Sequence, residues 1–579
     1  MKTAEQGKTV VSGWGSDAIA ALLRELGFEY IALNPGSSYR GLHDSIVNYL
    51  GNERPEILLC LHEEHAIAMG HGYAKVTDKP LLTAVHSQVG LMHATMAIYD
   101  AWVDRVPLVI LGANGPIDAR KRRAFRDWVH TTADNGALIR GYTKWDDQPG
   151  SIEAALESVL RANQIARSLP AGPTYVCFDV EMQERKLAAP ITLPDAKRFT
   201  PPDPPVPPAH DVQRAAQLLR AAKHPVILVG RVSRSMTGWN ERVALAEALQ
   251  ARVITDLKVG AAFPTDHPLH AGPPGGRLTK NAVAAVREAD VILSLDFVDV
   301  GGSLREASGG DPSDATVISC SLDQYVHNGW SMDYQELPAV DLNLAGSPDA
   351  FVSALLREME IAVAVERPRA SVATNGARSG PPAGERIGVG SLCAAVVEAC
   401  RELDTCFIRL PLGVDGRHFT FRHPLDYLGG STGIGIGPGI AVGAALALRG
   451  GDRLPVAILG DGDYLMGVTA LWTAVANKIP LLVVLANNRS YFNDEVHQGR
   501  MAQERGRPVE RKWIGQRIDD PAPDLAGIAR MQGAAGIGPV TRSSELPSVL
   551  KKAIDEVRSG KVCIVDVIIE PEYETREQG

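Results

Sequence analysis

Short apolar runs rich in Val, Ile and Leu recur along the 579-residue chain and alternate with stretches whose apolar positions follow a helical period. The runs fall at 30–33, 57–61, 81–85, 108–111 and 174–178, then at 225–229, 252–255, 291–295 and 316–319, and finally at 405–409, 456–459, 481–486 and 563–569. Runs without polar alternation fit strands covered on both faces, and strands alternating with helices fit parallel sheets. The pattern predicts an α/β chain of three doubly wound domains with mostly parallel sheets. Two segments interrupt it. The run Pro201-Pro202-Asp203-Pro204-Pro205-Val206-Pro207-Pro208 can enter neither helix nor inner strand, and 371–385 is rich in Gly, Ala, Pro and Ser. They divide the chain into 1–190, 209–360 and 386–579, each of ordinary domain size.

Composition narrows the class. Hydrophobic content of 45% and charged content of 22% fit a soluble globular protein, and a net charge of −9 argues against nucleic acid as a partner. No apolar run is long enough to span a membrane and the N-terminus has no apolar signal core, so a cytoplasmic protein without a membrane partner is expected. The seven cysteines form no CxxC pair and read as reduced.

Two motifs carry chemistry. The first is Gly460-Asp461-Gly462, followed by a helix predicted over 464–478, an apolar strand over 480–486 and the pair Asn487-Asn488. A carboxylate and a carboxamide at the two ends of such a unit can hold a Mg²⁺ that keeps phosphates among its ligands, while glycines let backbone N–H groups approach a diphosphate. The plain alternative is an ordinary βαβ element. The second motif is Leu61-His62-Glu63-Glu64-His65 before a helix predicted over 66–75. Its acids stand at a strand end, where α/β sheets place functional groups, or they cap the helix. His62 and His65 are spaced too closely for the HExxH zinc pattern, so metal ligation by them is not expected.

With these two motifs in this order, the chain resembles the thiamine diphosphate-dependent decarboxylase and carboligase superfamily over nearly its whole length. The resemblance implies a pyrimidine-binding domain first, a middle domain, and a diphosphate-binding domain last. It implies that Glu63 hydrogen-bonds the cofactor's aminopyrimidine ring, and that Asp461, Asn488 and the backbone carbonyl of Ser490 hold Mg²⁺. Gly433 and Ile434 would lie under the bent cofactor, with Gly460, Gly462, Asp463, Ser490 and Tyr491 completing the cofactor-binding set. Within the superfamily, Asn34-Pro35-Gly36-Ser37 and Val85-His86-Ser87 resemble the substrate-binding turn and strand-end histidine of benzoylformate decarboxylase. This implies that Ser37 meets the substrate carboxylate and that His86 moves protons at the reacting carbon.

Four departures shape the expectation. The stretch 294–302 lacks the second histidine of that enzyme, so Asp296 or Asp299 takes its role or the role is unfilled. Asn493, Asp494 and His497 replace apolar pocket residues, which favours a polar substrate, with His497 or Asp494 standing in for the missing histidine; a solvated helix face is the alternative. Asp463 puts a carboxylate where a small neutral residue is usual, which would repel a diphosphate unless it turns away. The segment 85–90 lacks the Gly-Pro-Gly turn of acetolactate synthases and His93 replaces their Asn, which resembles cyclohexane-1,2-dione hydrolase. The basic segment 500–520 reads as a lid or as a solvated loop. The expected function is a thiamine diphosphate- and Mg²⁺-dependent C–C lyase or carboligase acting on a 2-keto acid. The alternatives are an acetolactate synthase-type ligase, a diketone C–C hydrolase, or a noncatalytic cofactor-binding subunit. The family geometry implies a homodimer or homotetramer with the active site at the dimer interface. No motif argues for FAD, which some relatives bind in the middle domain.

Overall fold

The computed structural model describes residues 9–310, 314–323, 333–363, 386–414, 416–430 and 433–571. The predicted linker at 371–385 lies outside the described residues. The first sheet is built from β2 (Tyr30–Leu33), β3 (Glu56–Leu59), β4 (Leu82–Ala84), β5 (Leu108–Asn114), β6 (Trp145–Asp147) and β7 (Pro173–Asp179) in the order β3-β2-β4-β5-β7-β6. A small antiparallel pair, β1 (Val10–Val11) and β8 (Ile191–Thr192), stands apart from it. The second sheet runs β10-β9-β11-β12-β13, from β9 (Pro225–Val229), β10 (Arg252–Ile254), β11 (Val291–Leu295), β12 (Thr316–Ser321) and β13 (Leu342–Ala345). The third runs β14-β15-β16-β18-β17, from β14 (Thr405–Arg409), β15 (Leu454–Gly460), β16 (Leu481–Asn487), β17 (Ala535–Val540) and β18 (Val562–Ile568). Every pairing in these three sheets is parallel. Helices connect the strands, so the α/β class with three parallel sheets is as expected. All seven cysteines are buried and none is in a disulfide, and no described helix is long and apolar enough to cross a membrane.

Residue contacts gather the chain into two compact units. The first holds Met1–Asp203 with Thr432–Arg449 and Met466–Ile479. Its core joins Ile19, Leu22 and Leu23 of the Gly15–Glu25 helix to Ile31, Leu33, Val109 and Leu111 of the sheet and to Val159 of the Ile152–Arg167 helix. The Glu63–Thr77 helix is buried around most of its circumference, from Glu63 through His65, Ile67 and Met69 to Lys75. The reason lies in small residues. Gly72 and Gly443 bring it against the Gly437–Leu448 helix so closely that a Cβ at Gly72 would stand 2.0 Å from the Ile440 carbonyl oxygen. Only glycine permits that backbone approach.

The second unit holds Pro204–Ser431, Gly450–Leu465 and Pro480–Gly579. One continuous core runs through both of its sheets, from Val212 and Val243 to Val456, Val484 and Val565. Backbone bonds stitch the two halves, Ala261 N–H to the Tyr427 carbonyl at 2.9 Å and Thr265 N–H to the Phe421 carbonyl at 3.0 Å. The single helix predicted over 464–478 is two, Asp461–Gly467 and Ala470–Ala476. Gly467 and the β-branched pair Val468 and Thr469 break it, and the Thr469 hydroxyl bonds His65 Nε2 at 2.8 Å.

Candidate active site

In the first unit the chain leaves β3 and enters the Glu63–Thr77 helix through His62, whose extended backbone caps it and whose Nδ1 accepts from Glu64 N–H at 3.2 Å. Glu63 is therefore the first helical residue, and it is buried. One carboxylate oxygen lies 3.2 Å from His93 Nδ1 on the Ser87–Val103 helix. The other faces Gly90, where a Cβ would stand 2.6 Å from it. Glycine at 90 leaves that oxygen its space.

His86 ends the turn after β4 and precedes the Ser87–Val103 helix. Its Nδ1 lies 2.9 Å from the hydroxyl of Ser38, not Ser37. Ser37 instead offers its carbonyl to Arg123 Nη1 at 3.1 Å. A second imidazole, His130, packs 4.7 Å from His86 between ring centroids, held by the Ser87 hydroxyl donating to its carbonyl at 2.7 Å. Burial first, and then His130, push the His86 pKa down to about 4. His86 is neutral at neutral pH and can accept a proton. Glu63 counters that fall and pushes the buried Tyr39 phenol, already raised by desolvation, further up.

A buried ionic cluster fixes these helices against each other. Asp104 takes a 2.7 Å bond from His71 Nε2 and pairs with Lys75 Nζ. Burial works to raise the Asp104 carboxyl, but Lys75 and His71 hold it well below the usual carboxylate range. Asp100, one turn earlier, accepts from Gly433 N–H at 3.2 Å. It thereby anchors the loop that presents the half-exposed Ile434.

In the second unit Gly460 closes β15 and Asp461 opens the next helix directly. Asn487 closes β16 and bonds Asp566 at 2.9 Å, and Arg489 turns the chain with a positive φ of 58°. The Ser490 N–H then meets two oxygens at once, Asp461 Oδ2 and Asn488 Oδ1, each at 3.0 Å. Two hard oxygens thus converge beside the Ser490 backbone. Burial pushes the Asp461 carboxyl up to about 6 against the pull of several N–H groups. A buried carboxylate short of counter-charge, next to a carboxamide oxygen, suits Mg²⁺, and these residues fit that ion. The Tyr491 ring leaves no room for a side chain at Gly462. The Asp463 carboxylate pairs with Arg409 Nε at 3.0 Å, both side chains being buried.

Asn493, Asp494 and His497 lie on the exposed face of the Phe492–Glu504 helix, with Asn493 Nδ2 and His497 Nε2 3.1 Å apart. Its inward face is Phe492, Glu495, Val496 and Gly499. The buried Glu495 carboxylate takes a 2.5 Å bond from the Ser490 hydroxyl and pairs with Arg517 at 3.4 Å. Sequence reasoning passed over Glu495, although its place in an i, i+3, i+4, i+7 series with those residues was legible. It passed over His130, Ser38 and Arg123 too, which no local pattern marks. Asp296 accepts from the Ser321 hydroxyl at 2.7 Å, and Asp299 caps the Val300–Ser308 helix through Gly302 N–H at 3.2 Å. The middle sheet has a cavity of its own, about 660 Å³, lined by Asp256, Lys258, Phe297, Arg305 and Tyr334 among others.

A parallel α/β fold with a buried glutamate at one helix start and a hard-oxygen pair at another defines a class of cofactor-dependent enzymes. Family models agree along the chain: the thiamine pyrophosphate enzyme N-terminal TPP binding domain matches residues 13–137, the central domain 212–355, and the C-terminal TPP binding domain 414–567. The chain belongs to the thiamine pyrophosphate enzyme family. It is 23% identical to the acetolactate synthase isozyme 3 large subunit of Escherichia coli strain K12, covering 96% of this chain and 95% of that one. Its fold matches benzoylformate decarboxylase from Polynucleobacter necessarius with a TM-score of 0.77 at 19% identity, over 96% of this chain and 99% of that chain. It also matches a 4-hydroxybenzoylformate decarboxylase of Rhodococcus jostii RHA1 with a TM-score of 0.74 at 20% identity, over 97% and 100%.

Proposed function

We propose that this enzyme is a Mg²⁺-dependent C–C lyase or carboligase that takes a 2-keto acid, more polar than benzoylformate, as substrate. The observation that carries the reading is the convergence of Asp461 and Asn488 oxygens on the Ser490 backbone, with Asp461 buried and short of positive charge. Bound thiamine diphosphate supplies the nucleophilic carbon and the electron sink for breaking the bond beside the keto group. Asp461, Asn488 and the Ser490 carbonyl hold the cation, Gly460 and Gly462 let the diphosphate approach, and Arg409 keeps the Asp463 charge from repelling it. Ile434, with Gly433, supports the cofactor. Glu63 offers its Gly90-facing oxygen to the pyrimidine ring. His86, neutral and oriented by Ser38, takes and returns a proton at the reacting carbon, and His130 beside it is the second imidazole that the middle domain does not provide. Ser37 and Arg123 face the substrate carboxylate, and Asp494 and His497 meet the polar end of the substrate.

The pyrimidine half of one copy serves the diphosphate half of another, so the active unit is a homodimer or a pair of them. Carboligation is the second reading, favoured by the likeness to acetolactate synthase across almost all of both chains.

Mass analysis of products after incubation with Mg²⁺, thiamine diphosphate and a panel of 2-keto acids and cyclohexane-1,2-dione tests this. CO₂ with an aldehyde makes it a lyase and CO₂ with a hydroxyketone a ligase. Diketone cleavage without CO₂ makes it a hydrolase instead. Cofactor binding with no turnover on any substrate would leave a noncatalytic binder and overturn the proposal.

A further inference from the structure

Ser490 has three polar groups, and two of them are tied down. Its N–H meets Asp461 Oδ2 and Asn488 Oδ1, each at 3.0 Å, and its hydroxyl donates to Glu495 Oε1 at 2.5 Å. Ser490 and Glu495 are both buried. We propose that Glu495 is a positioning residue of the cation site: it grips Ser490 by the hydroxyl and so fixes the orientation in which the Ser490 carbonyl is offered to Mg²⁺. The proposal rests on the reading above that Asp461, Asn488 and Ser490 hold that ion.

The carbonyl needs such a grip. Ser490 lies after β16 and before the Phe492–Glu504 helix, outside both. Its bridge to Arg517 is isolated, and the bonds of that bridge flank it, from Tyr491 N–H to the Gln516 carbonyl and from Ile518 N–H to the Arg489 carbonyl. Neither uses a group of Ser490 itself. Mg²⁺ demands near-octahedral ligands, so a carbonyl that swings is a poor one. Outer partners that orient metal ligands are typically worth about 10- to 100-fold in metal affinity. A plainer role for Glu495 is to favour the helix dipole from the first turn, but Asp494 already supplies a carboxylate there. Glu495 turns inward instead, onto Ser490 and, at 3.4 Å, onto Arg517 Nε. That guanidinium offsets the charge of a carboxylate that burial would otherwise penalise. Without Glu495 the Ser490 hydroxyl has the Gln516 carbonyl, 3.4 Å away, as its remaining acceptor. At that length it is a far weaker tether.

The test uses the purified full-length protein as wild type, Glu495→Ala, Glu495→Gln, Ser490→Ala, the double variant Ser490→Ala with Glu495→Ala, and Asp461→Asn. Calorimetry at a fixed thiamine diphosphate concentration gives the Kd for Mg²⁺ and, separately, for Ca²⁺. Glu495→Ala should weaken Mg²⁺ binding about tenfold or more. Ca²⁺, which tolerates irregular ligand geometry, should lose less. Ser490→Ala keeps the backbone carbonyl and removes only the hydroxyl. It should match Glu495→Ala, and it carries the test should that variant fail to fold. The double variant should bind no worse than either single one, since both break the same bond. Glu495→Gln, whose amide oxygen still accepts from Ser490, should stay near wild type. A Mg²⁺ Kd within about twofold of wild type in Glu495→Ala, equal losses of Mg²⁺ and Ca²⁺, additive losses in the double variant, or no recovery by Glu495→Gln would each overturn the role of Glu495. Asp461→Asn separates the two failures. Unchanged Mg²⁺ affinity there removes the cation site itself, whereas weak binding there with normal Glu495→Ala removes only the positioning role.

Discussion

A methyl group added at Gly443 would sit 1.9 Å from the Met69 carbonyl oxygen, and backbone cannot yield as a flexible side chain can. Gly443→Ala should therefore cost about 3 kcal/mol of stability, checked by urea denaturation, while an alanine at the open position Gly141 should cost little. The same scale shows where sequence was and was not legible. Asp461 and Asn488, which the motif singles out as cation ligands, each turn an oxygen to the Ser490 N–H. The group proposed to handle protons was only half visible. His86 was marked by its place at a strand end, but the hydroxyl beside it belongs to Ser38, one residue beyond the serine singled out, while the Ser37 carbonyl accepts from Arg123. His130 reaches His86 from a loop remote in sequence. No local pattern encodes such a meeting.

At the scale of elements, the strands of the three parallel sheets that escaped the hydrophobic pattern share one property: β6, β13 and β17 each lie at a sheet edge. An edge strand is covered less fully, so it need not be apolar throughout. Trp145-Asp146-Asp147 is half-exposed along its length, 342–345 alternates buried and exposed, and β17 carries Gly538-Pro539. The central strands, buried on both faces, were all legible. Adjacent strand ends also explain how the chain tolerates an acid directly after Gly462. β14 ends on Arg409 and β15 leads into Asp463, and the two side chains pair between them. Arg409→Met should destabilise the cofactor-free protein by about 3 kcal/mol by leaving Asp463 without its cation. Arg409→Met with Asp463→Leu should recover most of that, as a double-mutant cycle in urea would show.

For the whole molecule, pH should act through buried imidazoles. His65 and His270, both pushed from 6.5 down to about 4 chiefly by burial, are neutral when folded and take up protons on unfolding. The unfolded state thus binds more protons between about pH 4 and 6.5, and stability, complete above that window, falls as pH drops through it. His270→Gln should flatten the dependence by on the order of 2 kcal/mol between pH 7 and 5. Assembly is the other whole-molecule expectation. If two copies complete each site, dilution to monomer abolishes cofactor binding, and a fully active monomer in analytical ultracentrifugation would refute the shared site.

The stretch 503–520 contains no buried residue. What fastens it is a seam to the turn that offers Ser490: Tyr491 N–H to the Gln516 carbonyl at 3.0 Å, Ile518 N–H to the Arg489 carbonyl at 2.7 Å, and Arg517 on Glu495. A seam with one stiff edge holds better than one with two loose edges, so an ion that stiffens the turn tightens the whole stretch, and linkage makes the effect mutual. Trypsin should nick the protein after Arg511 and Lys512 readily without Mg²⁺ and thiamine diphosphate and slowly with them. The molecule then carries its own occupancy gauge, legible on a gel before any substrate is known.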